Sequence, residues 1–309
     1  MILHTGLRTD IPAFYAEWFA NRLRDGFVLV RNPYNPLQVT KYIISPDVVD
    51  VISFCTKNPI PFLPYMNLIK EYGQYWFVTI TPYGKEIEPC VPEKEKMIEA
   101  FRELSEKVGL NAVAWRYDPI FISDVYTVKQ HIEAFEEMAA KLAGYTKTCV
   151  ISFIDLYQKV LRNFPEVKEV RKEDRICLAK EFVRIGEKYD ITIKACAEGT
   201  ELEAYGVDCN GCMTLSIFEK AIDCSLKAPK VKSARSECAC LLGSDIGAYN
   251  TCGHLCRYCY ANYDKETVIR NRKLHDPKSP LLLGTLHACD VIHDAKQVSW
   301  KDGQMRLDF

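Results

Sequence analysis

Residues 75–119 read YWFVTITPYGKEIEPCVPEKEKMIEAFRELSEKVGLNAVAWRYDP. Their first eight, YWFVTITP, are mostly apolar and stop at Pro82, as a strand buried on both faces requires. After Pro92, Met97, Phe101, Leu104 and Val108 recur at spacings of four, three and four. That spacing puts them on one face of a helix. NAVAWRYDP (111–119) is again an apolar run of strand length. Strand, helix and hydrophobic strand in succession form a parallel unit, because parallel strands need a crossover between them.

The pattern repeats along the first two thirds of the chain. Val128, Ile132, Phe135, Ala139 and Leu142 have helical spacing, and TCVISFI (148–154) reads as a strand. A helix over 172–189 carries Ile176, Ala179, Val183 and Gly186 in one stripe, and ITIKACAEG (191–199) follows as a strand. Upstream, MILHT (1–5) is a short buried strand. Asp10 before Ile11-Pro12 starts a helix that runs to about Arg24 and stops at Gly26. VLVRNPYNPLQVTKYII (28–44) gives two extended runs around a Pro/Asn turn.

Six parallel strands are therefore predicted, at 1–5, 48–56, 75–82, 111–118, 148–154 and 191–198. The expected fold is α/β: over 1–199 a (β/α) TIM-like full or partial barrel, with an open doubly wound sheet as the alternative. No G-x-G-x-x-G follows a strand, which argues against dinucleotide binding. Barrel chemistry collects at the C-terminal ends of the strands. There Lys57, Arg116 and Asp118 are the candidate catalytic residues. Lys57 and Arg116 would position substrate or cofactor electrostatically, and Asp118 would accept a proton.

With 309 residues, 48% of them hydrophobic, the chain has material for a sizeable core, as one large domain or two. Lys plus Arg (40) balances Asp plus Glu (41) to a net charge of -1, which excludes a globally basic nucleic-acid binder. No apolar run reaches the ~18 residues of a membrane span, and the N-terminus meets a charge and a proline too early for a signal peptide. The expectation is a cytoplasmic protein with no membrane partner. The unusual feature is 14 cysteines, eight of them between Cys209 and Cys259. In a reducing compartment such density points to metal rather than disulfides. After about residue 200 the strand–helix alternation fades, so 200–309 reads as a cysteine-rich extension packed on the barrel mouth.

The strongest motif is Cys252-Gly-His-Leu-Cys256-Arg-Tyr-Cys259. Three thiolates at spacings of four and three wrap one cluster from a single loop. They leave one iron of a 4Fe-4S cluster without a protein ligand. A zinc site, or a ferredoxin-like cluster with a fourth Cys from elsewhere, is the alternative. His254 reads as a solvated loop side chain. A second group, Cys196, Cys212, Cys238 and Cys240, is expected to hold an auxiliary cluster. Cys209 is a rival for the place of Cys212, and a four-thiolate zinc on Cys209, Cys212, Cys238 and Cys240 is the alternative. Cys55, Cys90, Cys149, Cys177, Cys224 and Cys289 read as buried small apolar side chains. The flanking bases, Lys227, Lys230, Lys232 and Arg235, then Arg257, Arg270, Arg272 and Lys273, read as a solvated linker rather than a nucleic-acid contact.

ARSECACLLGSDIGAYNTCGHLCRYCYAN (234–262), with RTDIPAFY (8–15), SFCTKNP (53–59) and WRYDPI (115–120), resembles the uncharacterised domain-of-unknown-function 1848 family over essentially the whole chain. The three-Cys motif resembles the signature of the radical S-adenosylmethionine superfamily. YNTCGHLCRYCYA and WRYDPI look like segments of spore photoproduct lyase and its relatives, which repair thymine dimers. The resemblance implies that S-adenosylmethionine chelates the open iron and is reductively cleaved to a 5'-deoxyadenosyl radical. It implies that Tyr258 helps seat the adenine and that Glu198, in Glu198-Gly199, stands for the Gly-Gly-Glu segment that holds the methionine amino group. It also implies flavodoxin or ferredoxin as electron donor; the substrate is unknown. The other readings are an electron-transfer or structural metal protein and a radical enzyme of nucleic-acid repair or modification. In the superfamily the cysteine loop follows the first barrel strand. Here RTDIP does, so the C-terminal extension is expected to fold back to the same mouth.

Overall fold

The computed structural model describes residues 1–229, 240–241 and 243–301. Its strands are β1 (Ile2–His4), β2 (Phe27–Arg31), β3 (Gln38–Ile43), β4 (Val51–Thr56), β5 (Gly73–Thr79), β6 (Val113–Ile120), β7 (Thr148–Phe153), β8 (Thr192–Ala195), β9 (Ser244–Asp245) and β10 (Val291–Asp294). Seven form one sheet in the order β8-β7-β6-β5-β4-β1-β9, with every pairing parallel. All six predicted parallel strands lie in it.

From β1 to β8 the strands follow one another in space as they do in sequence, without the order reversal of a doubly wound sheet. Right-handed crossovers then put the connecting helices on one face. The helices Lys94–Val108, Val128–Leu142 and Lys172–Tyr189 pack there side by side. Among the described residues the outermost strands, β8 and β9, do not pair with each other, so the full barrel is not formed. The sheet has seven strands where the closed barrel has eight.

Aromatic rings fill the layer between sheet and helices. Trp115 of β6 stacks on Phe135 at 4.7 Å, and Phe135 stacks on Phe182 at 3.9 Å, joining the sheet to two helices. The last of these helices buries Leu178, Ala179, Phe182, Ile185 and Gly186, while Ile176 and Val183 are half-buried. The predicted stripe was turned by about one residue, because both sets keep helical spacing. β8 ends at Ala195, short of the predicted residue 198; Ala197 turns the chain with φ of 59°.

Asp10 caps the short helix Ile11–Phe14 by accepting from the Ala13 amide at 3.0 Å, and Gly26 ends the next helix, Ala16–Asp25, with φ of 76°. β2 and β3 form the expected antiparallel hairpin, and β10 joins β3 in parallel to complete a three-stranded sheet. The chain beyond residue 200 thus contributes β9 to one sheet and β10 to the other. Among the described residues no helix is long and apolar enough to cross a membrane.

Candidate functional site

The C-terminal ends of β1, β4, β5, β6, β7 and β8 meet at one cavity of about 370 Å³. Its other wall is the segment after β9, which carries Cys252, Cys256 and Cys259. Pairing explains how this segment arrives. β9 lies parallel to β1, with Leu3 opposite Ser244 and His4 opposite Asp245, so the chain leaves both strands at the same end of the sheet.

Side chains then fasten the two following loops together. The Asp245 carboxylate accepts from the amides of Leu7 (2.9 Å) and Arg8 (3.1 Å) and from Arg8 Nε (3.4 Å). Thr251 Oγ1 donates to Thr9 Oγ1 at 2.8 Å, and the Tyr15 hydroxyl donates to the Thr251 carbonyl at 2.8 Å. The Tyr260 hydroxyl donates to the Leu7 carbonyl at 2.5 Å. The segment RTDIPAFY is therefore the dock for the cysteine loop, a role its sequence did not reveal.

Asp10 is the centre of that dock. One carboxylate oxygen takes the Ala13 amide. The other takes the Lys57 amide at 2.8 Å and lies 2.9 Å from His254 Nε2. His254 is 2% exposed, not solvated as expected, because a buried carboxylate must be saturated with donors and the imidazole supplies one. The loop itself is tightly specified. Leu255 adopts φ of 58°, a strained conformation for a branched residue. A Cβ on Gly253 would lie 1.6 Å from Arg272 Nη1 and 2.8 Å from Phe14 Cε1.

Burial raises the pKa of all three thiols; Lys57 opposes the rise at Cys256, and the amides of Ala261 and Asn262 oppose it at Cys259. A metal bound there would displace their protons. Cys256 is buried and Cys252 and Cys259 are half-buried, and the three thiols form a soft donor set suited to iron–sulfur ligation. Among the described residues no three or more His, Cys, Asp or Glu side chains are grouped so as to hold a single metal ion.

Lys57, Arg116 and Asp118 all line the cavity, but each cation already has an anion. Lys57 Nζ lies 2.9 Å from Glu88 Oε1, and the same carboxylate accepts from Thr81 Oγ1 at 2.6 Å and from the Tyr258 hydroxyl. Burial opposes the charged form of Glu88, yet Lys57 and Lys94 hold its pKa below the usual carboxylate range. Tyr258 lines the cavity with its ring centre 5.5 Å from Lys57 Nζ. Arg116 Nε binds Asp118 Oδ2 at 3.0 Å, and the guanidinium lies 5.1 Å above the Phe77 ring. Glu198 is not on the cavity wall. It accepts from the Phe153 amide at 2.7 Å and faces Arg175 at 3.4 Å, and burial raises its pKa to about 7.

The second cysteine group also comes together in part. Cys212 Sγ lies 3.5 Å from Cys240 Sγ, and a hydrogen bond with Cys212, followed by Arg116, brings the Cys196 thiol down to about 7. Cys209 instead directs its thiol to the Val207 carbonyl at 3.8 Å. Cys238 lies outside the described residues, as do Lys230, Lys232 and Arg235. Among the thiols read as core fillers, Cys149 is buried, Cys55 and Cys224 are half-buried, and Cys90, Cys177 and Cys289 are exposed. Cys177 shows the reason: it lies on the outward face of its helix. Cys55 lines the cavity, and burial pushes its thiol up to about 12. Of the flanking bases, Arg257 is half-buried and pairs with Glu166 at 2.6 Å, whereas Lys227, Arg270, Arg272 and Lys273 are exposed as expected, Arg272 lying 4.5 Å over Phe14.

A family model described as "Domain of unknown function (DUF1848)" matches residues 2–261. No curated protein matches, and no solved structure matches.

Proposed function

The chain belongs to the family of the domain of unknown function DUF1848, and from that premise we propose that it is an iron–sulfur enzyme of the radical S-adenosylmethionine type. The observation that carries this reading is that Cys252, Cys256 and Cys259, from one loop, line the cavity at which the parallel strands end. Three thiolates ligate three irons of a four-iron cluster and leave the fourth without a protein ligand. When bound, such a cluster supplies the electron that cleaves S-adenosylmethionine and starts radical chemistry on the substrate.

The sheet order supports a partial barrel. In space the cysteine loop follows β9, the outer neighbour of β1, so the strand that precedes it stands first in the series. That matches its place in the superfamily, with the strand supplied from the C-terminal part of the chain. Lys57 opposes the negative charge of the thiolates at Cys256 and Cys259. Glu88 fixes the Tyr258 hydroxyl, which leaves the ring as a wall for a planar group. The electron comes from an external donor such as flavodoxin or ferredoxin. The substrate is a molecule, or part of one, that fits the remaining space.

The test is anaerobic incubation with dithionite and S-adenosylmethionine, with 5'-deoxyadenosine measured by chromatography. Wild-type protein is expected to form it, and Cys256→Ala to form none. Equal formation by the variant, or none by iron-replete wild type, would overturn the reading.

A further inference from the structure

We propose that Cys196, Cys212 and Cys240 hold a second iron–sulfur cluster, next to the cavity and beside Arg116. It goes beyond the reading of Cys252, Cys256 and Cys259 and does not depend on it.

The three thiols come from three separate segments: the end of β8, the loop before the helix Leu215–Ile222, and the chain that leads into β9. Core-filling cysteines have no reason to converge in this way. Cys212 Sγ lies 3.5 Å from Cys240 Sγ, and Cys196 shares the cavity wall with Cys240. The 3.5 Å separation is far beyond the ~2.05 Å of a disulfide, so no disulfide joins Cys212 and Cys240.

The surroundings are arranged for negative sulfur. Arg116 Nη1 lies 4.0 Å from Cys212 Sγ, and the Met213 amide donates to Cys240 Sγ at 3.3 Å. A cation and an amide directed at thiolates are the outer contacts that tune an iron–sulfur centre. Arg116 was expected to hold substrate. Its guanidinium, only partly exposed, instead lies between Asp118 and the thiol group, so it is assigned as a positioning residue for the cluster. Cys196 and Cys240 line the cavity while Cys212 lies beneath them, which places the centre against the same space as the first loop.

The experiment uses full-length protein made and purified without oxygen. Iron, acid-labile sulfide and zinc are counted, and far-ultraviolet circular dichroism establishes that each variant is folded. The variant with Cys252, Cys256 and Cys259 all changed to Ala is expected to keep about half of the wild-type iron, as one of two similar clusters would. Adding Cys212→Ser and Cys240→Ser to it is expected to remove that remainder. Cys212→Ser with Cys240→Ser alone is expected to keep the paramagnetic signal of the first cluster and lose a second one. Arg116→Gln is expected to shift the midpoint potential of that second signal to more negative values, because the cation favours the reduced, more negative cluster. Iron-free triple variant that is folded would overturn the proposal, as would zinc in place of iron. So would iron unchanged by the Cys212 and Cys240 substitutions. A failure of the first loop to bind iron shows instead as wild-type iron unaffected by the triple substitution.

Discussion

Asp10 does more than cap a four-residue helix: it joins the amides of Ala13 and Lys57 to the imidazole of His254, and so ties the loop after β1 to the cysteine loop. Asp10→Ala removes a cap worth about 1 kcal/mol and leaves buried donors unpaired, for a total loss of roughly 3 kcal/mol. Urea denaturation is expected to show that loss, together with reduced iron content; unchanged values of both would refute the docking role. Gly6 tests the same junction from the other side. A Cβ there would lie 2.3 Å from the Cys55 carbonyl oxygen, a backbone atom that cannot turn away. Gly6→Ala is expected to destabilise the fold and to lower the yield of soluble protein. Two histidines set the acid limit. Burial lowers the pKa of His4 and His131 from 6.5 to about 4, and His131 is held neutral between the Tyr117 hydroxyl (2.8 Å) and the Phe121 carbonyl (2.9 Å). The unfolded chain takes up their protons first, so stability falls as pH drops from about 6.5 to about 4, by up to about 3 kcal/mol for each residue. Denaturation midpoints across that range are expected to be less steep in His131→Gln, and a pH-independent midpoint would contradict the account.

At the scale of elements, the strand–helix alternation was legible because each strand is a run of apolar residues and each long helix has an apolar stripe. Phe135 serves both layers, stacked on Trp115 and Phe182. Phe135→Ala is expected to cost about 3–5 kcal/mol in urea denaturation without changing iron per folded chain, since it lies away from the cavity wall. Loss of iron in the folded variant would tie the helical layer to the site. β9 was not legible. It has two residues, and nothing in Ser244-Asp245 marks a strand; the Asp245 carboxylate fastens it beside β1 by accepting from the amides of Leu7 and Arg8, far away in sequence. Nor does the sequence distinguish Cys209 from Cys212, because both ends of C-N-G-C are thiols and only the fold directs one toward Cys240.

The whole molecule is an open parallel sheet whose strand ends and C-terminal cysteine loop enclose one cavity. Cysteine spacing identified the candidate ligands from sequence, because a cluster needs thiols within reach of one loop. The charges at the cavity were harder to judge. Lys57 and Arg116 are paired with Glu88 and Asp118; the first pair depends on packing of the loop after β5 against the end of β4, and the second lies within β6 itself. The resemblance put Glu198 at the methionine amino group, and the turn at Ala197 takes its side chain to the Phe153 amide, off the cavity wall. We propose that Cys252, Cys256 and Cys259 hold a cluster with one iron open to the cavity. Electron paramagnetic resonance of anaerobically purified, dithionite-reduced protein, recorded with and without S-adenosylmethionine, tests it most directly. A reduced four-iron signal that changes on addition of S-adenosylmethionine, and that Cys256→Ala abolishes, is the expected result. A signal that the addition leaves unchanged, or protein that carries zinc and no iron, would contradict it.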